Sequence, residues 1–168
     1  MSKDFFIADT HFGGENIRRY ENRPFENATE MDEKLIENWN NIVSEEDTVY
    51  VLGDFSDYAD KEMDKKILTR LNGKKILVMG NHDRHRTPQE WRELGFTECS
   101  PWPVLYNQYY MLSHEPLYIN SNMPYANFYG HVHANPSYKD ACKQSVCLSV
   151  ERIDYIPVEF EKLRVRMV

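Results

Sequence analysis

Cysteine is scarce in this sequence, and the three present, Cys99, Cys142 and Cys147, are odd in number and lack CxxC spacing. That pattern points away from a disulfide framework and from a thiolate zinc site. Long hydrophobic runs are missing too: nothing approaches the roughly 18 apolar residues of a membrane-spanning helix. The start, Met1 to Thr10, breaks into charge too early for a signal peptide. A cytoplasmic protein with no membrane partner is expected. Basic residues are the minority, 20 against 27 acidic ones for a formal charge of -7. Gripping long nucleic acid through its phosphates needs a basic footprint, so such a partner is not expected. Glycine and proline are sparse, with no Gly/Ser linker, repeat or low-complexity stretch, which leaves one domain over residues 1–168. What is there is ordinary globular material: 41% hydrophobic and 28% charged residues, enough to build a core.

The hydrophobic pattern alternates in type along the first half. Phe5-Phe6-Ile7-Ala8 is a strand-type run that stops at Asp9. From Glu30 to Val43, Met31, Leu35, Trp39 and Ile42 recur at helical steps, with Thr29 as the expected N-cap. Thr48–Leu52 is a second strand, ending at Gly53-Asp54. Met63, Ile67, Leu68 and Leu71 have helical spacing and close on Asn72-Gly73. Lys75–Met79 is a third strand, ending at Gly80-Asn81-His82-Asp83. Strand, helix, strand, helix, strand with polar residues at each strand's end predicts a parallel α/β sheet whose crevice lies at those ends. A short helix at Pro88–Leu94 precedes brief strands at Trp102–Tyr106, Tyr109–Leu112, Asn127–Tyr129 and Val146–Val150. Asn107-Gln108 is the expected hairpin turn, and Val158–Val165 a closing helix.

Five of these segments share one grammar, an apolar run followed by side chains able to bind a metal. They are Asp9-Thr-His11, Gly53-Asp54, Gly80-Asn81-His82-Asp83, Ser113-His114 and Gly130-His131-Val132-His133. One alone would be a turn; five in succession at strand ends ask for a shared purpose. In extended chain, residues i and i+2 project to the same side, so Asp9 with His11, and His131 with His133, can converge. Mixed carboxylate and imidazole donors suit Mn, Fe, Zn or Ni better than Mg or Ca. The donors are too many for one tetrahedral zinc but enough for two divalent metals sharing a bridge.

Taken in order, Asp-x-His, Gly-Asp, Gly-Asn-His-Asp, His and Gly-His-x-His resemble the five motifs of the calcineurin-like metallophosphoesterases, over Asp9 to His133. The resemblance implies that Asp9, His11 and His133 hold one metal and that Asn81, His114 and His131 hold the other, with Asp54 bridging. It also implies an α/β fold, a four-layer αββα sandwich of two mixed β-sheets flanked by helices. Asp9-Thr-His-Phe-Gly, Asn16-Ile, Asn22-Arg-Pro-Phe25 and Ser113-His-Glu-Pro116 are similar to a branch of small, stand-alone bacterial or phage phosphoesterases. Members of that branch often carry His where this chain has Gly14.

The implied reaction is hydrolysis of a small phosphodiester or phosphomonoester, a nucleotide-type substrate among the candidates, by in-line attack of a hydroxide shared between the metals. The resemblance assigns His82 the role of proton donor to the leaving oxygen, or stabiliser of the phosphoryl charge, and Asp83 is expected to orient its imidazole. Weaker candidates are Arg84, His85 and Arg86 as a basic rim for substrate phosphate, and Arg18 or Arg19 reaching in from beyond the first motif. Asp57 is either a hydrogen-bond partner of a ligand His or a helix N-cap. Tyr106, Tyr109, Tyr110, Tyr118, Tyr125 and Tyr129 are candidates for stacking a base, against the commoner use of tyrosine in packing. Two other readings compete: a nuclease acting on nucleic-acid ends, and a non-catalytic scaffold that keeps the fold. Retention of His82 favours an enzyme.

Overall fold

In the computed structural model, residues 1–138 and 143–166 are described; Cys142 lies outside them. The described strands form two mixed sheets. The first has the order β4-β3-β2-β1-β9 and the second β5-β6-β7-β8. β1 (Asp4–Ile7), β2 (Thr48–Val51), β3 (Lys74–Val78) and β4 (Glu98–Ser100) run parallel, and β9 (Val158–Glu159) lies antiparallel against β1. In the second sheet β5 (Val104–Tyr106) and β6 (Tyr110–Leu112) form the expected hairpin. Its turn residues Asn107 and Gln108 both have positive φ. β6, β7 (Ala126–Tyr129) and β8 (Ser145–Cys147) are parallel.

Alternation within β1 decides the layering. Phe5 and Ile7 face a core shared with the helices, whereas Phe6 and Ala8 face a second core between the sheets. The first core takes Met31, Leu35, Ile36 and Trp39 of α2 (Ala28–Asn40), Ile67 and Leu68 of α3 (Lys61–Arg70) and Trp91 of α4 (Pro88–Leu94). The second is aromatic: Phe6 stacks on Tyr50 at 5.1 Å and meets Phe128 and Tyr106 edge-on at 5.2 and 5.4 Å. α5 (Phe160–Arg166) closes this layer through Phe160 and Leu163. Helices thus flank two mixed sheets packed face to face, the α/β arrangement expected.

Some local expectations are corrected. α2 is capped by Asn27, whose side chain accepts from the Glu30 N–H at 2.9 Å, so the helix begins before its apolar stripe and Thr29 lies inside it. Val158 and Glu159 are strand, because pairing with Phe6 and Phe5 claims them before the helix starts. Val150 leaves its predicted strand for a 3-10 turn, Val150–Arg152. α1 (Glu15–Tyr20) was not expected: it has no buried residue and rests on Glu15, which pairs with Arg18 and Arg19 and accepts from Ala28 N–H. Tyr106 and Tyr110 pack with Phe6, Phe128 and Phe160, so packing claims them rather than a base. Cys99 and Cys147 are free thiols. Among the described residues no helix is long and apolar enough to cross a membrane.

Candidate metal centre

The five motifs follow β1, β2, β3, β6 and β7, and the parallel strands of the two sheets bring their C-terminal ends to one place. Ligand-type atoms of Asp9, His11, Asp54 and His133 lie within 4.8 Å of one another, and so do those of Asp54, His114 and His131. Asn81 joins the second group: its Oδ1 is 3.0 Å from His114 Nε2 and 3.1 Å from His131 Nδ1. Asp54 Oδ2 belongs to both groups, 3.5 Å from His11 Nε2 and 3.4 Å from His114 Nε2. Donors bound at about 2.0–2.2 Å to one first-row ion stand roughly 3.0–3.5 Å apart, which is the spacing of most of these contacts.

Two further observations fit metal binding. His11 Nε2 is fully buried and has no hydrogen-bond partner among the described residues, a cost of about 1–3 kcal/mol unless something else satisfies it. Asp9 and Asp54 are buried carboxylates with no Lys or Arg side chain paired to them among the described residues. Burial alone would raise Asp54, but the hydrogen bond from His114 and the charges of His114 and His11 bring it down to about 2. Burial would lower His114, while the same hydrogen bond and the charges of Asp9 and Asp54 push it up to about 9. The cluster therefore attracts positive charge. These donors could hold divalent cations: Asp9, His11, Asp54 and His133 make one candidate group, and Asp54, Asn81, His114 and His131 the other.

Backbone strain marks the same residues. Asp9, His11, Asp54, His131 and His133 all have φ between 48 and 70°, a region that costs non-glycine residues of order 1–3 kcal/mol each and persists only where surroundings enforce it. Here hydrogen bonds do so: Asp9 N–H to Gly53 O, His11 N–H to Asp54 O, and His131 N–H to the Asp9 carboxylate. At Gly80 a Cβ would stand 2.2 Å from Asp54 Oδ1, so only glycine lets the third motif close on the shared carboxylate.

Three of the imidazoles are each anchored through the second nitrogen, which fixes the one that faces the cluster. His11 Nδ1 is 3.0 Å from Asp57 Oδ1, His114 Nδ1 is 2.9 Å from Leu52 O, and His133 Nδ1 is 3.1 Å from Glu151 Oε1. Asp57 is thus a partner of His11, and Asp60 is the N-cap of α3. Asp57 Oδ1 also lies 3.3 Å from His82 Nδ1. Asp83 does not orient His82. Its buried carboxylate accepts from the N–H groups of Asp54, Phe55 and Gly80, tying the second and third motifs together. Burial and the charge of Asp54 push it up to about 6. At Gly14 a Cβ would meet Asp57 Oδ2 at 2.7 Å; the carboxylate that serves His11 and His82 fills the space a side chain would need.

The other candidates separate. His82 is half exposed beside the cluster, its ring 4.8 Å from that of His11. Arg84 is exposed and has no ion pair or hydrogen bond among the described residues. His85 bonds to His82 O at 2.6 Å. Arg86 is not part of a rim: it is buried, paired with Asp64 at 2.6 Å and bonded to the carbonyls of Tyr58 and Ala59. Arg18 and Arg19 pair with Glu15, and Arg18 also holds Phe25 O. Missed in the sequence were Glu151 and Arg23. Arg23 is buried, donates to the carbonyls of Asp9 and Thr10, and pairs with Glu151 at 2.7 Å. Only its place in Asn22-Arg-Pro-Phe25 signals it.

Comparison with known proteins agrees with this geometry. An uncharacterized protein of Methanocaldococcus jannaschii is 36% identical over 96% of this chain and 89% of its own length. The gene 66 protein of Mycobacterium phage L5 is 32% identical over 49% of this chain and 41% of its own. A crystal structure of a protein of unknown function from Aquifex aeolicus superposes with a TM-score of 0.78, covering 98% of this chain and 99% of that one at 27% identity. The family model described as calcineurin-like phosphoesterase matches residues 5–162, which takes in all five motifs and both sheets, and the chain belongs to that family.

Proposed function

We propose that this protein is a two-metal hydrolase of a small phosphate ester. The observation that carries the reading is the shared Asp54 carboxylate between two groups of ligand atoms, with His82 at their edge. Bound divalent ions, with manganese our choice for assay, supply the positive charge that acidifies a water and offsets the charge on phosphoryl oxygens. Hydrolysis forms a bond from phosphorus to the water oxygen and breaks the one to the leaving oxygen, which must gain a proton. His82 delivers that proton from Nε2, while Asp57 holds Nδ1. Arg84, two residues after His82, is exposed and has no ion pair or hydrogen bond among the described residues, which leaves it available to an incoming phosphate.

The test is turnover of bis-p-nitrophenyl phosphate by manganese-loaded protein, beside an alkyl ester. His82→Ala is expected to cost about 10²–10⁴-fold on the alkyl ester, the range of acid catalysis, and much less on the nitrophenyl ester, whose phenolate leaves unprotonated. Equal losses would remove the acid role. No turnover with any metal would favour the scaffold.

A further inference from the structure

A cleft of about 680 Å³ opens beyond His82, walled by Asn16, Ile17 and Tyr20 of α1, by Asp57, Tyr58 and Ala59, and by His82 and His85. Its size is that of a small-molecule site, far more than a phosphate group needs. It adjoins the metal centre: its wall residue Asp57 lies 3.0 Å from Nδ1 of His11, and its wall residue His82 has its ring 4.8 Å from that of His11. A phosphorus atom held at the ligand cluster, with its leaving oxygen at His82, would send whatever that oxygen carries into this cleft. Resting on the phosphoesterase reading, we propose that the cleft is the subsite for the leaving group and that this group is a flat heterocycle-bearing alcohol of nucleoside type.

The lining argues for that chemistry. Two phenol rings, an isoleucine, an alanine and two imidazoles make up most of the lining. Tyr58 is held in place by its OH, which donates to Asp32 Oδ2 at 2.7 Å. Tyr20 is 82% exposed and has no ring contact or hydrogen bond among the described residues, so its face is free to cover a planar group. Asn16 is exposed and likewise uncommitted; its carboxamide offers a donor and an acceptor to the edge of a heterocycle. Among the described residues no Lys or Arg lines the cleft, and the one carboxylate there, Asp57, is engaged by His11 and His82. A polyphosphate or a nucleic-acid strand would find no countercharge there. A neutral base with its sugar needs none.

The experiment pairs adenosine 5′-phosphate with glycerol 3-phosphate, both of which release a primary alkoxide, so that the nucleoside sugar and base are what differ. Manganese-loaded protein is expected to favour the adenosine ester in kcat/KM. Tyr20→Ala should shrink that ratio about tenfold, mostly through KM, the effect of one base-on-ring contact. A readout independent of turnover is saturation-transfer NMR of free adenosine, expected to show binding that Tyr20→Ala abolishes. Equal kcat/KM for both esters, unchanged in Tyr20→Ala and without adenosine binding, overturns the subsite while leaving the phosphoesterase reading intact. Adenosine binding without turnover of any ester under any metal overturns the phosphoesterase reading, and the leaving-group role with it.

Discussion

Between buried Arg23 and the ligand-type residue His133 stands a single carboxylate. Glu151 Oε1 takes both, at 2.7 and 3.1 Å, and its Oε2 is buried without a hydrogen-bond partner among the described residues. Arg23 in turn holds the carbonyls of Asp9 and Thr10, so one side-chain chain links the first and last motifs. Glu151→Gln keeps an acceptor but removes the charge that polarises His133 and balances Arg23. We expect manganese affinity to fall about 10–100-fold in a chelator competition, the usual effect of losing such a partner. Unchanged affinity would reduce Glu151 to a packing role. The seven residues whose ligand-type atoms the fold gathers were legible because each belongs to a short motif that follows an apolar run. Glu151 was not, because its partners are 128 and 18 positions away and a lone glutamate after a strand carries no pattern of its own.

At the scale of elements, the strands and helices with a strong apolar period were readable, and the pieces held by remote partners were not. β9 is two residues long and exists because the open edge of β1 takes it; α1 buries nothing and is held by Glu15. The attachment of α2 to the site was equally invisible. Asp32, buried in that helix, accepts from Gly13 N–H at 2.8 Å and from Tyr58 OH at 2.7 Å, so it links α2 to the first motif and to the cleft wall. Burial dominates its titration and pushes it up to about 6. A carboxyl raised in the folded state binds protons more tightly there than when unfolded. Its contribution therefore favours the fold below about pH 4 and is lost as pH rises to about 6. Asp32→Asn removes this dependence. Relative to the parent, the variant should gain up to about 3 kcal/mol between pH 4 and pH 7 in denaturant unfolding, a shift of roughly two units. A difference that stays flat over that range would contradict the raised carboxyl.

For the whole molecule, two sheets each place their parallel strand ends at one locus, and the residues there accept unfavourable backbone angles, an orphaned imidazole nitrogen and buried carboxylates together. A fold selected for stability alone would shed those costs; a pair of divalent cations would repay them at a stroke. The formal charge of -7 also reads differently in this light, since Asp9 and Asp54 would be neutralised by the ions they hold. The claim that these two groups form one centre with Asp54 shared is tested most directly by elemental analysis of protein saturated with manganese and freed of excess. Two ions per chain are predicted for the parent and fewer than one for Asp54→Asn, with the fold intact by circular dichroism; two ions retained by Asp54→Asn would contradict the shared centre.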